Sequence, residues 1–241
     1  MESWVVGFDG DADVERHSGA VEAPTEGALI PRSGDTPLRV RVISDYICPW
    51  CYIGFRRVER LIDEFAVEFD VGAYELRPGL PAEGLPRDQV YASRVYPPGY
   101  LDNMRQTARE AGIEMKRPPL IPNTRKAHEA TEFAKEAGRL LPFHRAVSRA
   151  YWEDEENISD LEVLCRIGAD CGLSAAELRA VLDDGRYAPQ VQEQIDWSRA
   201  AGITGVPTFV FEYKFSVVGA QEYEVFRDIA RRIVEGKITE E

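Results

Sequence analysis

The chain has 241 residues, of which 44% are hydrophobic, and its formal net charge is −13 at pH 7. This length and apolar content predict a core large enough for one domain with a large insertion, or for two small domains. The negative charge argues against nucleic acid or an anionic membrane as the main partner, because phosphate binding needs clustered cations.

Residues 1–37 mix acidic residues with Gly, Pro and Ser, a composition typical of a mobile extension, with one candidate short strand over 4–8. This stretch has neither a basic region nor a long apolar segment, so it predicts no signal peptide. The sequence also lacks a run of about 20 apolar residues that would predict a membrane span. We therefore expect a cytoplasmic protein with no membrane partner.

A strand–helix–strand unit is predicted next. Residues 38–43 alternate apolar and charged side chains, as a half-buried strand does, and residues 51–65 repeat apolar side chains at helical spacing. Residues 69–76 form a second predicted strand, which ends before Pro78 and Gly79.

From about residue 86 to residue 201 the strand signals disappear, and Gly and Pro separate a series of helical stretches. These stretches lie near 100–112, 124–139, 142–151, 159–171, 174–184 and 188–201. Strand character returns as a hairpin over 207–211 and 214–218. A last helix follows, with Val225, Phe226, Ile229 and Ile233 on one face.

The order βαβ, helices, ββα predicts an α/β fold with a small mixed sheet of four strands. Residues 38–85 and 202–241 would form one domain, and residues 86–201 an all-helical insertion.

Two cysteines, Cys48 and Cys51, lie where the first strand meets the first helix. Pro49 suits the first helical position, which places Cys48 at the N-cap and Cys51 one turn inside. Residues three apart on a helix have Cα atoms about 5–6 Å apart, within the range of a disulfide. The pair is therefore predicted to be redox-active, and CxxC beside a βαβ unit indicates a thioredoxin-like fold.

The helix should also make the two sulfurs chemically different. The positive end of the helix is expected to stabilise the Cys48 thiolate and lower its pKa below about 8.5, which makes Cys48 the nucleophile. Cys51, buried one turn deeper, should keep a higher pKa and resolve the mixed disulfide that Cys48 forms.

A zinc site and chance proximity are the alternatives for this pair. Cys165 and Cys171 could complete a zinc site, but the gap between them is wider than the usual spacing. Pro49 argues against chance adjacency. At about 9 Å along one helix, Cys165 and Cys171 are too far apart to bridge, so we expect buried, inert thiols and no metal.

Asp45, three residues before Cys48, has two candidate roles. A desolvated carboxylate could relay protons to Cys51. Alternatively, it could hold the turn by accepting nearby backbone N–H groups, and this role is favoured.

Other charged residues nearby are left out of the catalytic set. His128 is a lone helical histidine, which is more often a surface or hydrogen-bonded residue, and His144 carries a weaker signal still. Arg56 and Arg57 lie about 12 Å from Cys48 along the helix and are expected on a solvated face.

Five motifs carry a family resemblance that runs from Leu38 to about Gly236. They are Ser44-Asp45-Tyr46-Ile47-Cys48-Pro49-Trp50-Cys51-Tyr52-Ile53-Gly54, Glu75-Leu76-Arg77-Pro78, Pro122-Asn123-Thr124 with Ala127-His128, Gly202-Ile203-Thr204-Gly205-Val206-Pro207, and Gly219-Ala220-Gln221. In these motifs the chain resembles the DsbA-like thioredoxin-fold superfamily, in its FrnE-type branch of cytoplasmic oxidoreductases.

The resemblance implies that the Val206–Pro207 peptide bond is cis and faces the dithiol. In that geometry the backbone of Val206 would pair with an extended substrate, and Pro207 would fix the angle. The loop of Gly219, Ala220 and Gln221 would shape the substrate groove. From the residues alone, a trans proline at the start of a strand is equally consistent.

Trp50 lies between the cysteines, where periplasmic members of the superfamily often have histidine. An indole cannot place positive charge beside the Cys48 thiolate, so we expect a weaker oxidant than those relatives. Trp50 is also a candidate apolar contact for substrate.

The predicted function is a thiol–disulfide oxidoreductase that acts on proteins or small thiols, with no tightly bound cofactor and with glutathione as a candidate redox partner. Related branches include kappa-class glutathione transferases and 2-hydroxychromene-2-carboxylate isomerases, which carry serine at the position of Cys48. Glutathione-dependent chemistry is therefore the second prediction. A chaperone-like binding module, in which the helical insertion holds unfolded chains, is the third.

Overall fold

The structure is a computed structural model that describes residues 3–6, 14–17 and 36–237. Strands β1 (Ser3–Val6) and β2 (Val14–His17) pair antiparallel. The rest of the predicted N-terminal extension, with its expected mobility, lies outside the described residues. Of the strand predicted over 4–8, residues 4–6 belong to β1.

Four strands form the central mixed sheet, in the order β4-β3-β7-β8. They are β3 (Leu38–Ser44), β4 (Val67–Ala73), β7 (Thr208–Phe211) and β8 (Phe215–Val218). β3 pairs parallel with β4 and antiparallel with β7, and β7 pairs antiparallel with β8. The predicted sheet of a βαβ half and a ββα half is confirmed.

Strand β4 ends three residues earlier than predicted. The chain leaves the sheet after Ala73, and the backbone N–H of Leu76 donates to the buried carboxylate of Asp45 at 2.7 Å. The Asp45 side chain therefore accepts a backbone hydrogen bond that a neighbouring strand would otherwise accept. The alternation of apolar and polar residues in the sequence does not indicate this change of partner.

Helix α1 (Pro49–Val58) joins β3 to β4 and is followed by a 3₁₀ turn at Glu59–Asp63, where one continuous helix was predicted. Gly54 lets α1 approach the sheet closely. A Cβ atom at Gly54 would lie 2.9 Å from Phe209 and 3.1 Å from Pro207. Since real Cβ atoms essentially never approach another atom within 3.0 Å, a larger residue at Gly54 would force α1 and the Phe209 ring apart and crowd Pro207.

The last helix, α9 (Tyr223–Val234), packs on the same apolar cluster as α1. Phe226 of α9 meets Phe209 of β7 edge to face, with ring centroids 4.6 Å apart, and both rings are fully buried. Phe226 and Ile233 of the predicted apolar face are buried, and Val225 and Ile229 pack beside them. This burial anchors the sheet end that carries Pro207.

Seven helices make up most of the insertion. They are α2 (Arg87–Val90), α3 (Tyr100–Glu110), α4 (Arg125–Glu136), α5 (Leu140–Trp152), α6 (Leu161–Asp170), α7 (Ala175–Asp184) and α8 (Ala188–Ala200). Six of them match the predicted stretches within a few residues. Asp160 and Ser174 cap α6 and α7 through their side chains.

The insertion also holds one very short pairing that the sequence did not indicate. Strands β5 (Leu85–Pro86) and β6 (Leu120–Ile121) pair antiparallel over two residues each. The core of the insertion includes Tyr46 and Ile47 from the turn before α1, and Tyr52 and Ile53 from α1 itself. The turn that carries Cys48 and Cys51, called the redox turn below for its predicted role, is therefore packed between the sheet and the helices.

In the part of the chain that the structure describes, every helix is too short or too polar to cross a membrane.

Candidate active site

Cys48 lies at the N-cap of α1 in an extended conformation, with φ −88° and ψ 116°, and Pro49 is the first helical residue. The backbone N–H of Cys48 donates to the carbonyl of Asp45 at 3.0 Å, which closes the turn between β3 and α1. Both Cys48 and Cys51 are free thiols in the structure. Their placement follows from the proline, which cannot continue a strand but suits the first turn of a helix.

Burial separates Cys51 from solvent, since only 2% of the residue is exposed. This burial, followed by a hydrogen bond and negative charge from Cys48, raises the pKa of the Cys51 thiol well above its ordinary value. Hydrogen bonds from the backbone of Asp45 and the side chain of Ser44 act in the opposite direction. At neutral pH Cys51 is therefore a protonated thiol, and it needs a proton acceptor before it can attack.

The Val206–Pro207 peptide bond is cis. The thiol of Cys48 donates to the carbonyl oxygen of Val206 at 3.6 Å. The loop that carries Val206 and Pro207, called the proline loop below, therefore lies directly against the Cys48 sulfur. The backbone N–H of Gly219 donates to the carbonyl of Pro207 at 2.8 Å. The structure thus places Val206 against Cys48, and it places the loop of Gly219, also predicted to contact substrate, against Pro207.

Gln221 closes its own loop. Its side-chain amide donates to the carbonyl of Val218 at 2.9 Å, and its backbone N–H donates to the carbonyl of Gly219 at 3.0 Å. Arg57 then holds this loop against α1. Its guanidinium donates to the carbonyls of Ala220 at 2.7 Å and Gln221 at 3.3 Å.

The prediction that Arg57 lies on a solvated face is wrong, because the residue is only 6% exposed. Its second terminal nitrogen forms an ion pair with Glu222, the N-cap of α9, at 2.6 Å, so the loop and Glu222 together supply the oxygens that a buried guanidinium requires. Arg56 is different: its side chain is 37% exposed and pairs with Glu59. The partners of Arg57 lie more than 160 residues away along the chain, so the helical pattern alone could not separate the two arginines.

Trp50 contacts the insertion through a residue that sequence reasoning missed. Its indole N–H donates to the hydroxyl of Tyr100 at 2.9 Å, and the two rings meet edge to face with centroids 6.4 Å apart. Tyr100 opens helix α3, 50 residues further along the chain. No local motif relates the two positions.

Asp45 is fully buried beneath the turn. Its carboxylate accepts the backbone N–H of Leu76 at 2.7 Å and that of Ile47 at 3.5 Å. Nε2 of His128 lies 3.7 Å from the same carboxylate and 3.1 Å from the carbonyl oxygen of Tyr74. His128 is therefore a buried neighbour of the turn rather than a surface residue.

His144 is a second buried histidine in this region. Its ring packs against Phe55 and Tyr46, with centroids 4.2 Å and 5.2 Å away, and its Nδ1 has no hydrogen-bond partner among the described residues. Burial, followed by the charges of His128 and Arg145, lowers the pKa of His144 to about 3. The ring is neutral at physiological pH.

Of the two remaining cysteines, Cys165 lies on α6 and Cys171 caps the C-terminal end of that helix. Cys165 is buried, as expected, whereas Cys171 at the C-terminal end of the helix is only partly buried because the helix ends near solvent. Burial raises the pKa of both thiols. Within residues 36–237 and the two short strands before them, His, Cys, Asp and Glu side chains do not gather into a group of three or more that could hold a metal ion.

Comparison with known proteins agrees with this geometry. The model of the DSBA-like thioredoxin domain matches residues 39–230. A Bacillus subtilis protein, YwbO, which is described as uncharacterized, is 28% identical over 176 residues, covering 72% of this chain and 86% of that protein.

Two solved structures have similar folds. The crystal structure of a probable DsbA oxidoreductase from Streptomyces coelicolor superposes with a TM-score of 0.75 at 31% identity, over 85% of this chain and 92% of that chain. A 2-hydroxychromene-2-carboxylate isomerase superposes with a TM-score of 0.65 at 17% identity, over 83% of this chain and 97% of the other, and this likeness concerns the fold alone.

Proposed function

Because this chain belongs to the DsbA-like thioredoxin domain family, we propose that it is a thiol–disulfide oxidoreductase that works through Cys48 and Cys51. One structural observation supports this function most directly. The Cys48 thiol lies at the N-cap of α1, bonded to the carbonyl of Val206, with the protonated Cys51 thiol one helical turn behind it.

The exchange begins at Cys48. The positive end of α1 favours negative charge on this sulfur, which attacks one sulfur of a substrate disulfide. The substrate S–S bond breaks, one substrate sulfur leaves as a thiolate, and the other stays bonded to Cys48 as a mixed disulfide.

Cys51 completes the reaction. After losing its proton it attacks the Cys48 sulfur, and the second substrate sulfur leaves as a thiolate. Two electrons have then passed from the dithiol to the substrate, and Cys48 and Cys51 are joined by a disulfide. A thiol reductant such as glutathione restores the dithiol by the reverse exchange, and no tightly bound cofactor takes part.

Substrates are proteins or small thiols that reach Cys48 through the groove between α1 and the proline loop. The backbone of Val206 pairs with an extended chain, and Pro207 fixes the direction of that carbonyl. The loop of Gly219, Ala220 and Gln221 forms the neighbouring wall, held in place by Arg57.

Trp50 adjusts the balance between dithiol and disulfide. Its indole adds no positive charge beside Cys48, so the pair is a weaker oxidant than one that carries histidine at this position. Such a potential suits a dithiol that cycles in the reducing cytoplasm, where we place this protein.

The proposed function is tested by reduction of insulin with dithiothreitol as the electron donor. The wild-type chain should accelerate the reaction, and Cys48→Ser should abolish the acceleration. Cys165→Ser is the matched control, since this thiol lies on a different helix and should leave the rate unchanged. Equal turnover by wild type and Cys48→Ser would remove the mechanism.

Glutathione-dependent isomerisation or conjugation is the second candidate, favoured by the likeness of the fold to the isomerase. Such chemistry activates bound glutathione and does not use a resolving thiol. It would therefore survive Cys51→Ser, whereas dithiol turnover would stop. A chaperone-like function ranks third, and it predicts aggregation suppression that is indifferent to both cysteines.

A further inference from the structure

The C-terminal end of helix α5 contacts the chain on both sides of the dithiol. Trp152, the last residue of the helix, binds the chain two residues before Cys48. Glu153, the C-cap, binds it one residue after Cys51. We propose that these two residues, called the α5 clamp below, are positioning residues that hold Cys51 in place to displace substrate from Cys48. The inference deepens the proposed function and rests on it, since this position matters only if the two thiols exchange with substrate.

The first contact of the α5 clamp is made by Trp152. Its indole N–H donates to the carbonyl oxygen of Tyr46 at 2.8 Å, and both residues are buried. Tyr46 is the second residue of the turn that the N–H of Cys48 closes on the carbonyl of Asp45, and such a turn leaves the carbonyl of its second residue without a partner of its own. Because a buried carbonyl needs a donor, the indole fixes the peptide plane that follows Tyr46.

The second contact lies on the other side of the dithiol. The hydroxyl of Tyr52 donates to Oε1 of Glu153 at 2.6 Å, and Tyr52 is a buried residue in the first turn of α1. The backbone N–H groups of Cys51 and Tyr52 both donate to the carbonyl of Cys48, at 3.2 Å and 3.4 Å. A shift of Tyr52 would therefore move Cys51 relative to Cys48.

The helix end that carries the α5 clamp is itself held by its neighbours. The carbonyl of Trp152 accepts the backbone N–H of Lys116 at 2.8 Å. The backbone N–H of Glu153 donates to the carbonyl of Arg149, also at 2.8 Å, and α5 packs against α4 and α6. The redox turn therefore takes its position from the helical insertion as well as from the sheet.

Displacement is the step that depends on this position. The bond between Cys48 and the substrate sulfur breaks as the Cys51 sulfur bonds to Cys48, and the proton of Cys51 ends on the released substrate thiol. In the dithiol the two sulfurs are already joined by a hydrogen bond, so the attacking atom starts close to its target. An intramolecular attack gains its rate from such placement, and a small misplacement removes much of the gain. Capture of substrate by Cys48 is bimolecular and should not depend on the clamp.

The test separates the two steps with 5,5′-dithiobis(2-nitrobenzoate), a symmetric aromatic disulfide whose reduction releases a coloured thiolate. In stopped-flow mixing with an excess of this probe, the first release has a rate proportional to the probe concentration and reports capture by Cys48. The second release has a rate independent of the probe concentration and reports displacement by Cys51. Every chain, the reference included, carries Cys165→Ser and Cys171→Ser, so that only the dithiol reacts.

Tyr52→Phe and Trp152→Phe each remove one hydrogen-bond donor and keep an aromatic ring. We expect each variant to slow displacement about fivefold, the scale of one intramolecular hydrogen bond, and to leave capture unchanged. Glu153→Ala should match Tyr52→Phe, and the double variant should be no slower than either, because both changes remove the same bond. The equilibrium with glutathione should shift about fivefold towards the dithiol, a rise of about 20 mV, since a tenfold shift is about 30 mV for this couple.

Two controls separate position from charge and from a general loss of packing. Glu153→Gln removes the charge but keeps an oxygen that accepts the Tyr52 hydroxyl, so its displacement rate should equal that of the reference. Tyr187→Phe is the matched control for Tyr52→Phe, because the buried Tyr187 also donates to a glutamate at 2.6 Å. That partner, Glu136, ends α4, and Tyr187 precedes α8, so this variant should leave both rates unchanged.

A failure of this inference differs from a failure of the proposed function. If catalysed reduction of insulin survives Cys48→Ser, the proposed function fails. If insulin reduction depends on Cys48, but Tyr52→Phe and Trp152→Phe keep the reference ratio of displacement to capture, the α5 clamp is wrong and the oxidoreductase function stands. The same conclusion follows if Glu153→Gln is as slow as Glu153→Ala, because the charge of Glu153 would then act rather than its hydrogen bond.

Discussion

The thiol of Cys48 and the carbonyl oxygen of Val206 lie 3.6 Å apart and form a hydrogen bond across 158 residues of sequence. The bond joins the proposed nucleophile to the backbone group that is proposed to hold substrate. When Cys48 gives up its proton or forms a disulfide, it can no longer donate to this carbonyl, which becomes available to the N–H of an extended substrate. In the proposed mechanism, capture of sulfur by Cys48 and pairing of the substrate backbone with Val206 are thus coupled.

Cys51→Ser should trap the mixed disulfide between Cys48 and its substrate. Serine cannot displace the bound sulfur, so the reaction stops after capture. We expect a covalent adduct of one substrate chain per protein, detected by mass spectrometry and lost on treatment with dithiothreitol. An adduct on Cys165 or Cys171, or turnover equal to wild type, would contradict the assigned order of the two thiols.

Trp50→His should make the dithiol pair more oxidising. A histidine can place positive charge beside the Cys48 thiolate and stabilise the reduced form. One charge interaction of about 1.4 kcal/mol corresponds to about 30 mV for this two-electron couple, so we expect a rise of about that size in a glutathione-buffer titration. Trp197→His, on helix α8, is the matched control and should leave the potential unchanged. A fall in the potential of Trp50→His would show that the indole does not act in the proposed way.

Arg57→Met should lower the free energy of unfolding by about 2 kcal/mol, because the charged hydrogen bonds to Ala220 and Gln221 are lost from a buried site. We also expect slower insulin reduction, since the loop next to Pro207 loses its anchor. Urea unfolding of the reduced chain gives the first quantity, and the insulin assay gives the second.

The neighbouring Arg56→Met is the control for Arg57→Met. It removes the same charge from the same helix, but from a side chain that is 37% exposed, so its cost should stay below about 1 kcal/mol. Equal losses of stability in the two variants would contradict the anchoring role of Arg57.

The fold could be predicted because its signals are local. Alternation in β3, apolar spacing in α1 and the Pro and Gly boundaries of the insertion each act within a few residues. The partners of Arg57 and Trp50 could not be predicted, since those contacts join positions 163 and 50 residues apart. A buried arginine and a solvated one have the same helical pattern, and only the packed structure distinguishes them.

His144 should make the protein less stable in acid. Its pKa is about 3 in the folded chain and near its ordinary value of 6.5 in the unfolded chain. As the pH falls from 6.5 towards 3, the unfolded state binds a proton that the folded state does not bind, so stability falls, by at most about 1.4 kcal/mol per pH unit. Below pH 3 both states are protonated and this contribution stops changing.

His144→Phe removes the titrating group and keeps a ring beside Phe55 and Tyr46. The free energy of unfolding of the variant, measured by urea denaturation at several pH values, should therefore depend less steeply on pH than that of the wild type between pH 6.5 and 3. Parallel curves for the two chains would show that His144 is already protonated in the folded state or is accessible to water.

Asp45→Asn separates the two roles of this carboxylate. Both of its oxygens accept backbone N–H groups, from Leu76 at 2.7 Å and Ile47 at 3.5 Å, and an amide has only one oxygen to offer. The variant should therefore lose about 2 kcal/mol of stability as one buried N–H is left unpaired, whereas Asp63→Asn, at an exposed position, should lose almost none.

Stopped-flow exchange of the Asp45→Asn variant with a mixed-disulfide substrate then resolves capture by Cys48 from displacement by Cys51. If Asp45 only holds the turn, the ratio of the two rates stays as in the wild type; if it accepts the proton of Cys51, displacement alone slows, by about 100-fold or more. We expect the constant ratio, because both oxygens are already engaged by the backbone, and a selective loss of displacement would establish the proton relay instead.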